Sequence, residues 1–89
     1  MNHELKTLPE FYEAVICGDK TAEMRCNDRC FHRGDTLTLQ EWERSEPLFC
    51  GTYTEREIRL EITHVLTGEQ WGIKDGYAML SFKRIEVAK

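Results

Sequence analysis

A helical period occurs once in this chain, near its start, and everything after it alternates. Leu8, Phe11, Tyr12, Val15 and Ile16 follow the i, i+3, i+4, i+7, i+8 spacing of one helix face. Thr7-Leu8-Pro9-Glu10 reads as a capping box, with Thr7 as N-cap and Glu10 at N3. Pro9 suits a first turn, where its missing N–H has no partner to lose. Gly18 then stops the helix, which is expected over about residues 8–17. Its apolar face must press onto something.

From residue 21 the period is two. Ala22, Met24 and Cys26 alternate with Thr21, Glu23 and Arg25, and the apolar set reads as core. A Gly34-Asp35 turn leads into a strand from Thr36 to Trp42, with Leu37 and Leu39 on one face. A loop carrying Pro47 and Gly51 connects it to a long strand. There Ile58, Leu60 and Ile62 alternate with Glu57, Arg59, Glu61 and Thr63, the pattern of a half-buried antiparallel strand. Gly68, Gly72 and Gly76 bracket a loop with Trp71 and Ile73, and a last strand runs from about Tyr77 to Ile85. Residues 2–6 supply a short first strand. No helix alternates with the later strands, so an all-parallel sheet is not expected. So few strands escape their edge problem best by curling round. The expected fold is mostly β with one or two short helices (α+β). It is a small antiparallel or mixed β-barrel with the N-terminal helix packed over one opening.

Eighty-nine residues make one domain, 1–89, with a thin core. That excludes a Rossmann fold, a TIM barrel or a multidomain enzyme. No repeat, linker or low-complexity tract is present. The start, Met1 to Lys6, has no apolar signal region, and no apolar run approaches the ~20 residues of a membrane span. The expected location is therefore the cytoplasm, with no membrane partner. Cys17, Cys26, Cys30 and Cys50 are expected as free thiols in that setting.

Twelve Lys and Arg against 16 Asp and Glu give a net charge of −4, which excludes a general nucleic-acid coat. The charge is unevenly spread. Residues 18–34 hold Lys20, Arg25, Arg29 and Arg33 against Asp19, Glu23 and Asp28, so that segment is +1 and the rest −5. Arginine forks suit phosphates and guanine edges, and a carboxylate such as Glu23 suits the exocyclic amine of a base. Ordinary surface ion pairs, each worth about 0–1 kcal/mol, would use the same residues.

The sequence resembles a known family through an ordered set of motifs. These are His3-Glu4-Leu5-Lys6, Gly18-x-Lys20-x-x-Glu23-x-Arg25, Asn27-Asp28-Arg29-x-Phe31, Gly34-Asp35 and Gly76-Tyr77-x-x-Leu80-Ser81-Phe82. Together they resemble the ASCH-like domains, and more closely a small branch of unassigned function found in bacteria and their phages. The resemblance spans about residues 3–85. It implies a PUA-like β-barrel and a cleft around the Lys/Glu motif that takes RNA or a nucleobase. A more distantly similar ASCH branch is enzymatic and removes the acetyl group of N4-acetylcytidine with a Lys, a Thr and a Glu. Its lysine matches Lys20, but its threonine falls where this chain has Glu23. If that chemistry operated here, Lys20 would act as base, Thr21 as nucleophile or orienting group, and Glu23 would stand beside them.

The resemblance and the charge pattern together give an expected ligand set of His3, Lys6, Lys20, Glu23, Arg25, Asn27, Arg29 and Tyr77. Lys20 and Arg25 would meet phosphate or a carbonyl, Glu23 a base amine, and Arg29 would clamp from the loop. His3 and Lys6 read equally as an exposed strand end. Trp71 and Tyr77 flank the glycine-rich loop, placed either to stack on a base or to pack as a lid. Trp42, out of phase with Leu37 and Leu39, is expected to face outward, over the barrel or toward a partner. Phe31 reads as an anchor for the arginine-rich loop. Cys26-x3-Cys30-x-His32 could supply only half a zinc site, so no metal or cofactor is expected. The function expected first is an RNA- or nucleotide-binding module. The alternatives are the amidohydrolase above and a phage-type protein-interaction module using Trp42 and the loop 44–52.

Overall fold

Thr7 does not cap the helix. It ends a strand, β1 (Asn2–Thr7), and lies opposite Glu41 in a parallel ladder with β3 (Thr36–Ser45). The helix α1 (Pro9–Ile16) has Leu8 at its N-cap with no side-chain hydrogen bond, and Pro9 opens the first turn. Strand pairing therefore won Thr7 from the capping box. The remaining strands are β2 (Ala22–Cys26), β4 (Cys50–Thr67) and β5 (Tyr77–Arg84). The computed structural model describes residues 1–45 and 50–85; Pro47 lies outside the described residues.

The five strands form one mixed sheet in the order β1-β3-β4-β5-β2. Only β1–β3 is parallel; the β3–β4, β4–β5 and β2–β5 ladders are antiparallel. One face is lined by Leu5, Leu37, Leu39, Ile58, Leu60, Ile62, Ala78, Leu80 and Phe82, and Tyr12 and Val15 of α1 pack into it. The domain is thus mostly β with one helix, as expected. The closed barrel is not formed: among the described residues β1 and β2 are the two edges and make no ladder with each other. The β3–β4 hairpin also runs further than expected, pairing as far as Ser45 with Cys50. Gly51 is therefore inside a strand, where any Cβ would collide with the Trp42 indole.

The edges approach across a gap, and side chains fill part of it. The Thr36 N–H bonds to the Met1 carbonyl, which turns the backbone groups of His3, Leu5 and Thr7 toward β3. Those of Asn2, Glu4 and Lys6 face away. Arg25 donates to the Lys6 carbonyl at 2.8 Å and Arg29 to the Glu4 carbonyl at 2.9 Å. Two arginines from β2 and its following loop thus cover the free edge of β1, which blunts it against pairing with another chain.

A second clasp ties the helix to the sheet. The ladder slips between Gln40 and Trp42, and the extra β4 residues form a bulge with Glu55 at φ +72°. The bulge aims Arg56 over the Tyr12 ring at 5.0 Å and into a 2.7 Å ion pair with Glu13. Thr54 donates to the buried Glu41 carboxylate at 2.7 Å, and burial pushes the Tyr12 phenol up from its ordinary value.

Candidate nucleotide cleft

The site begins with an inverted strand. In β2 the expected core residues Met24 and Cys26 are exposed, and Glu23 and Arg25 turn inward. The register explains this. Glu23 lies opposite Leu80 and Arg25 opposite Ala78, both fully buried on the inner face of β5. Met24 shares the outer face with Met79 and is 50% exposed. A carboxylate and a guanidinium therefore stand where periodicity alone would have put apolar groups.

They face the gap between the sheet edges. A cleft of about 390 Å³ opens there, lined by Lys6, Thr7, Leu8, Phe11, Lys20, Glu23, Met24, Arg25 and Cys26. That volume is in the range of small-molecule sites. Arg25 Nε donates to Glu23 Oε2 at 2.6 Å, and Lys20 Nζ lies 3.8 Å from Glu23 Oε1. Lys20 also donates to the Ala22 carbonyl at 2.6 Å, which fixes its ammonium at the end of β2. The ammonium is 6.0 Å from the Phe11 ring centroid. Lys6 Nζ sits 4.9 Å from the Trp42 ring, and Trp42 is half-buried.

Spare donors remain. A guanidinium has five N–H groups and Arg25 uses one on Glu23 and one on Lys6, leaving three. Lys20 spends one of its three donors on Ala22. Among the described residues the lining holds three cations, Lys6, Lys20 and Arg25, against the single carboxylate of Glu23. It is a locally positive cleft on an acidic protein. Thr7, 3% exposed, adds a buried hydroxyl with no hydrogen-bond partner among the described residues. A buried unpaired hydroxyl costs about 1–3 kcal/mol, so it calls for an explanation.

The expected ligand residues divide. Lys6, Lys20, Glu23 and Arg25 come together in the cleft. His3 does not. It is buried at the other end of β1, its Nε2 2.9 Å from Asp35 Oδ2 and its ring edge-on to Phe31. Asp35 also accepts the His32 N–H and the N-terminal ammonium. The His3 hydrogen bond, with lesser help from these two, holds its carboxyl at about 2, below the usual 3.8. Arg29 does not line the cleft; it donates to the Glu4 carbonyl. Asn27 lines a separate groove, and Tyr77 stands opposite Cys26 on the outer face. Thr21 lines a different depression with Gly18 and Phe82, so it is not beside Glu23 in the cleft. Cys26, Cys30 and His32 join no metal-ligating group among the described residues. Trp71, at φ +53° and 89% exposed, is the most outward large side chain of the glycine-rich loop.

Thr7, Leu8, Phe11, Met24 and Cys26 were missed. Thr7 could have been found, because it continues the alternation of His3 and Leu5 along β1; the capping-box pattern hid it. The rest depend on how the helix and β2 meet across the gap, which no local pattern carries.

These features define a class, a small α+β domain with a charged cleft between the two open edges of a mixed sheet. The chain belongs to the family described as "Domain of unknown function (DUF3850)", whose model matches residues 2–82. It is also similar to an "Uncharacterized 12.9 kDa protein in GpA 3'region" of Escherichia phage P2, 38% identical over 69 residues. That match covers 78% of this chain and 58% of the phage protein's length. No helix among the described residues is long and apolar enough to cross a membrane.

Proposed function

We propose that this domain binds RNA or a nucleotide-sized ligand in the cleft between β1, α1 and β2, as an ASCH-like member of the PUA-like superfamily acting in the cytoplasm. One observation carries it: the Glu23 carboxylate, on the inner face of β2, is held between Lys20 and Arg25 at the wall of a 390 Å³ cleft. Spare N–H groups of Arg25 and Lys20 suit a phosphate or a base carbonyl. The remaining lone pairs of Glu23 suit an exocyclic amine. Phe11 is 45% exposed at the cleft and offers a ring face for stacking. The overall charge of −4 favours one nucleotide or a short element over a long electrostatic track.

The test is binding of a mixed-sequence short RNA by wild type, Lys20→Ala and Glu23→Ala. Each substitution should weaken binding at least about tenfold, a loss of about 1.4 kcal/mol, with the melting curve little changed. Wild-type affinity in both variants would remove the site.

A hydrolytic role on a modified nucleoside such as N4-acetylcytidine has one observation in its favour. A hydroxyl, that of Thr7, lines the cleft with Lys20 and Glu23, although the expected Thr21 does not. Release of acetate from N4-acetylcytidine, lost in Thr7→Val and retained in Thr21→Val, would support it. No release at high protein concentration excludes it.

A further inference from the structure

A groove of about 510 Å³ opens between the loop 27–33 and the C-terminal half of β4, and the cleft does not use it. Its polar lining is Asn27, His32, Arg33, His64 and Thr67, beside Cys30, Phe31 and Val65. No carboxylate of the described residues lines it, in a chain with 16 Asp and Glu. Among the described residues Arg33 forms no ion pair, unlike Arg25, Arg29 and Arg56. Neither the His32 ring nor the His64 ring is hydrogen-bonded among them; His32 uses only its backbone N–H, on Asp35. The Asn27 side-chain oxygen is buried without a hydrogen-bond partner among the described residues.

The loop is held in place rather than draped. Asn27 N–H bonds to the Gly76 carbonyl, Gly34 N–H to the Ile62 carbonyl, and Phe31 is buried in the core. The anchored loop therefore places the Arg33 guanidinium and the His32 imidazole on one wall, and β4 places His64 on the other. A guanidinium fork with flanking N–H and hydroxyl donors is suited to a phosphate.

The groove is next to the cleft along the chain. Cys26 lines the cleft and Asn27, the following residue, lines the groove. We propose that the groove is a phosphodiester subsite, and that the ligand of this protein is a short single-stranded oligonucleotide occupying cleft and groove together. This rests on the cleft being a nucleotide site. A ligand reaching both passes the end of β2, where Cys26 gives way to Asn27, and a flexible single strand follows that surface. A duplex, with a persistence length of about 150 base pairs, does not. A few phosphates held by local cations also agree with a protein that is acidic overall.

The experiment compares the four ribonucleoside 5′-monophosphates with mixed-sequence RNA trinucleotides. The proteins are wild type, Arg33→Ala, His64→Ala and, as a charge control, Arg59→Ala. Arg33, His64 and Arg59 are all exposed, so the variants should stay folded, which melting curves check. The trinucleotides should bind at least about tenfold tighter than the best monophosphate, because the second contact becomes intramolecular. Arg33→Ala and His64→Ala should remove most of that gain and leave monophosphate affinity unchanged; Arg59→Ala should keep it. The slope of log affinity against log salt should fall by about 0.7 in Arg33→Ala. Monophosphate binding with no gain from length, or a gain that survives both groove variants, overturns the subsite. No binding of either ligand overturns the nucleotide site as well.

Discussion

The first strand begins in one polar cluster and ends at another, and the two differ in what they leave unused. At its start the Asp35 carboxylate takes His3, the His32 N–H and the N-terminal ammonium, and lines neither the cleft nor the groove. At its end Glu23 is paired with Lys20 and Arg25, which keep free donors, and an unpartnered Thr7 hydroxyl stands nearby at a 390 Å³ opening. Both clusters pair a carboxylate with nitrogen bases, and pairing alone does not distinguish them. Unfilled hydrogen-bonding capacity against a cavity does. The Asp35 cluster is a knot that holds the first strand on the 27–35 loop, and the Glu23 cluster is the proposed site.

The largest stability effect should come from breaking the knot. Asp35→Asn leaves His3 buried opposite a group that cannot accept charge-assisted bonds, and should cost about 2–4 kcal/mol in urea unfolding. Binding in the cleft should survive in the folded fraction. A neutral result would make the Asp35 cluster no more structural than the Glu23 one.

The pH dependence should follow next. Asp35 is held at about 2 in the folded chain against 3.8 when free. Its stabilising contribution is therefore complete above about pH 4 and lost as pH falls toward 2, on the order of 1–2 kcal/mol. Wild type should lose that stability relative to Asp35→Asn across this window. Parallel curves would contradict the assignment.

Substitutions in the cleft should separate stability from binding. Glu23→Gln breaks partly exposed ion pairs and should change stability by no more than about 1 kcal/mol, while binding falls at least tenfold. Thr7→Val keeps the shape and removes the unpaired hydroxyl. It should leave stability unchanged or raise it by up to about 1 kcal/mol while weakening the ligand, the direction expected where function costs stability. A clear loss of stability in Thr7→Val would mean that the hydroxyl is satisfied and belongs with the Asp35 type of cluster.

Much of the fold was legible because it depends on local period. The alternation of Ile58, Leu60 and Ile62 placed the inward face of β4 correctly, and all three are buried. The 3.6-residue pattern found α1, although Phe11 on its predicted apolar face is 45% exposed at the cleft. What failed depended on pairing. Period two divides β2 into two faces without saying which is inside. Apolar content pointed to Met24 and Cys26, yet the ladder to β5 put Glu23 and Arg25 across from Leu80 and Ala78. A polar face turned inward breaks the local rule, and such breaks gather at functional sites. The gap between β1 and β2 was hidden for a related reason. Edge strands prefer to be covered, which suggested a closed barrel, but Arg25 and Arg29 cover the β1 carbonyls with side chains instead. The place of His3 outside the cleft was not legible, because its partner, Asp35, is 32 residues away.

A titration of isotope-labelled protein with short mixed-sequence RNA, followed by amide shifts, tests the cleft most directly. Shifts should gather at residues 6–8, 11 and 20–26, be joined by 27–33 and 64–67 when the RNA also fills the groove, and be lost at the cleft in Glu23→Ala, while the amide of His3 stays still. Shifts that leave residues 6–8 and 20–26 unmoved, or none at any RNA concentration, would contradict the assignment of the Glu23 cluster as the site.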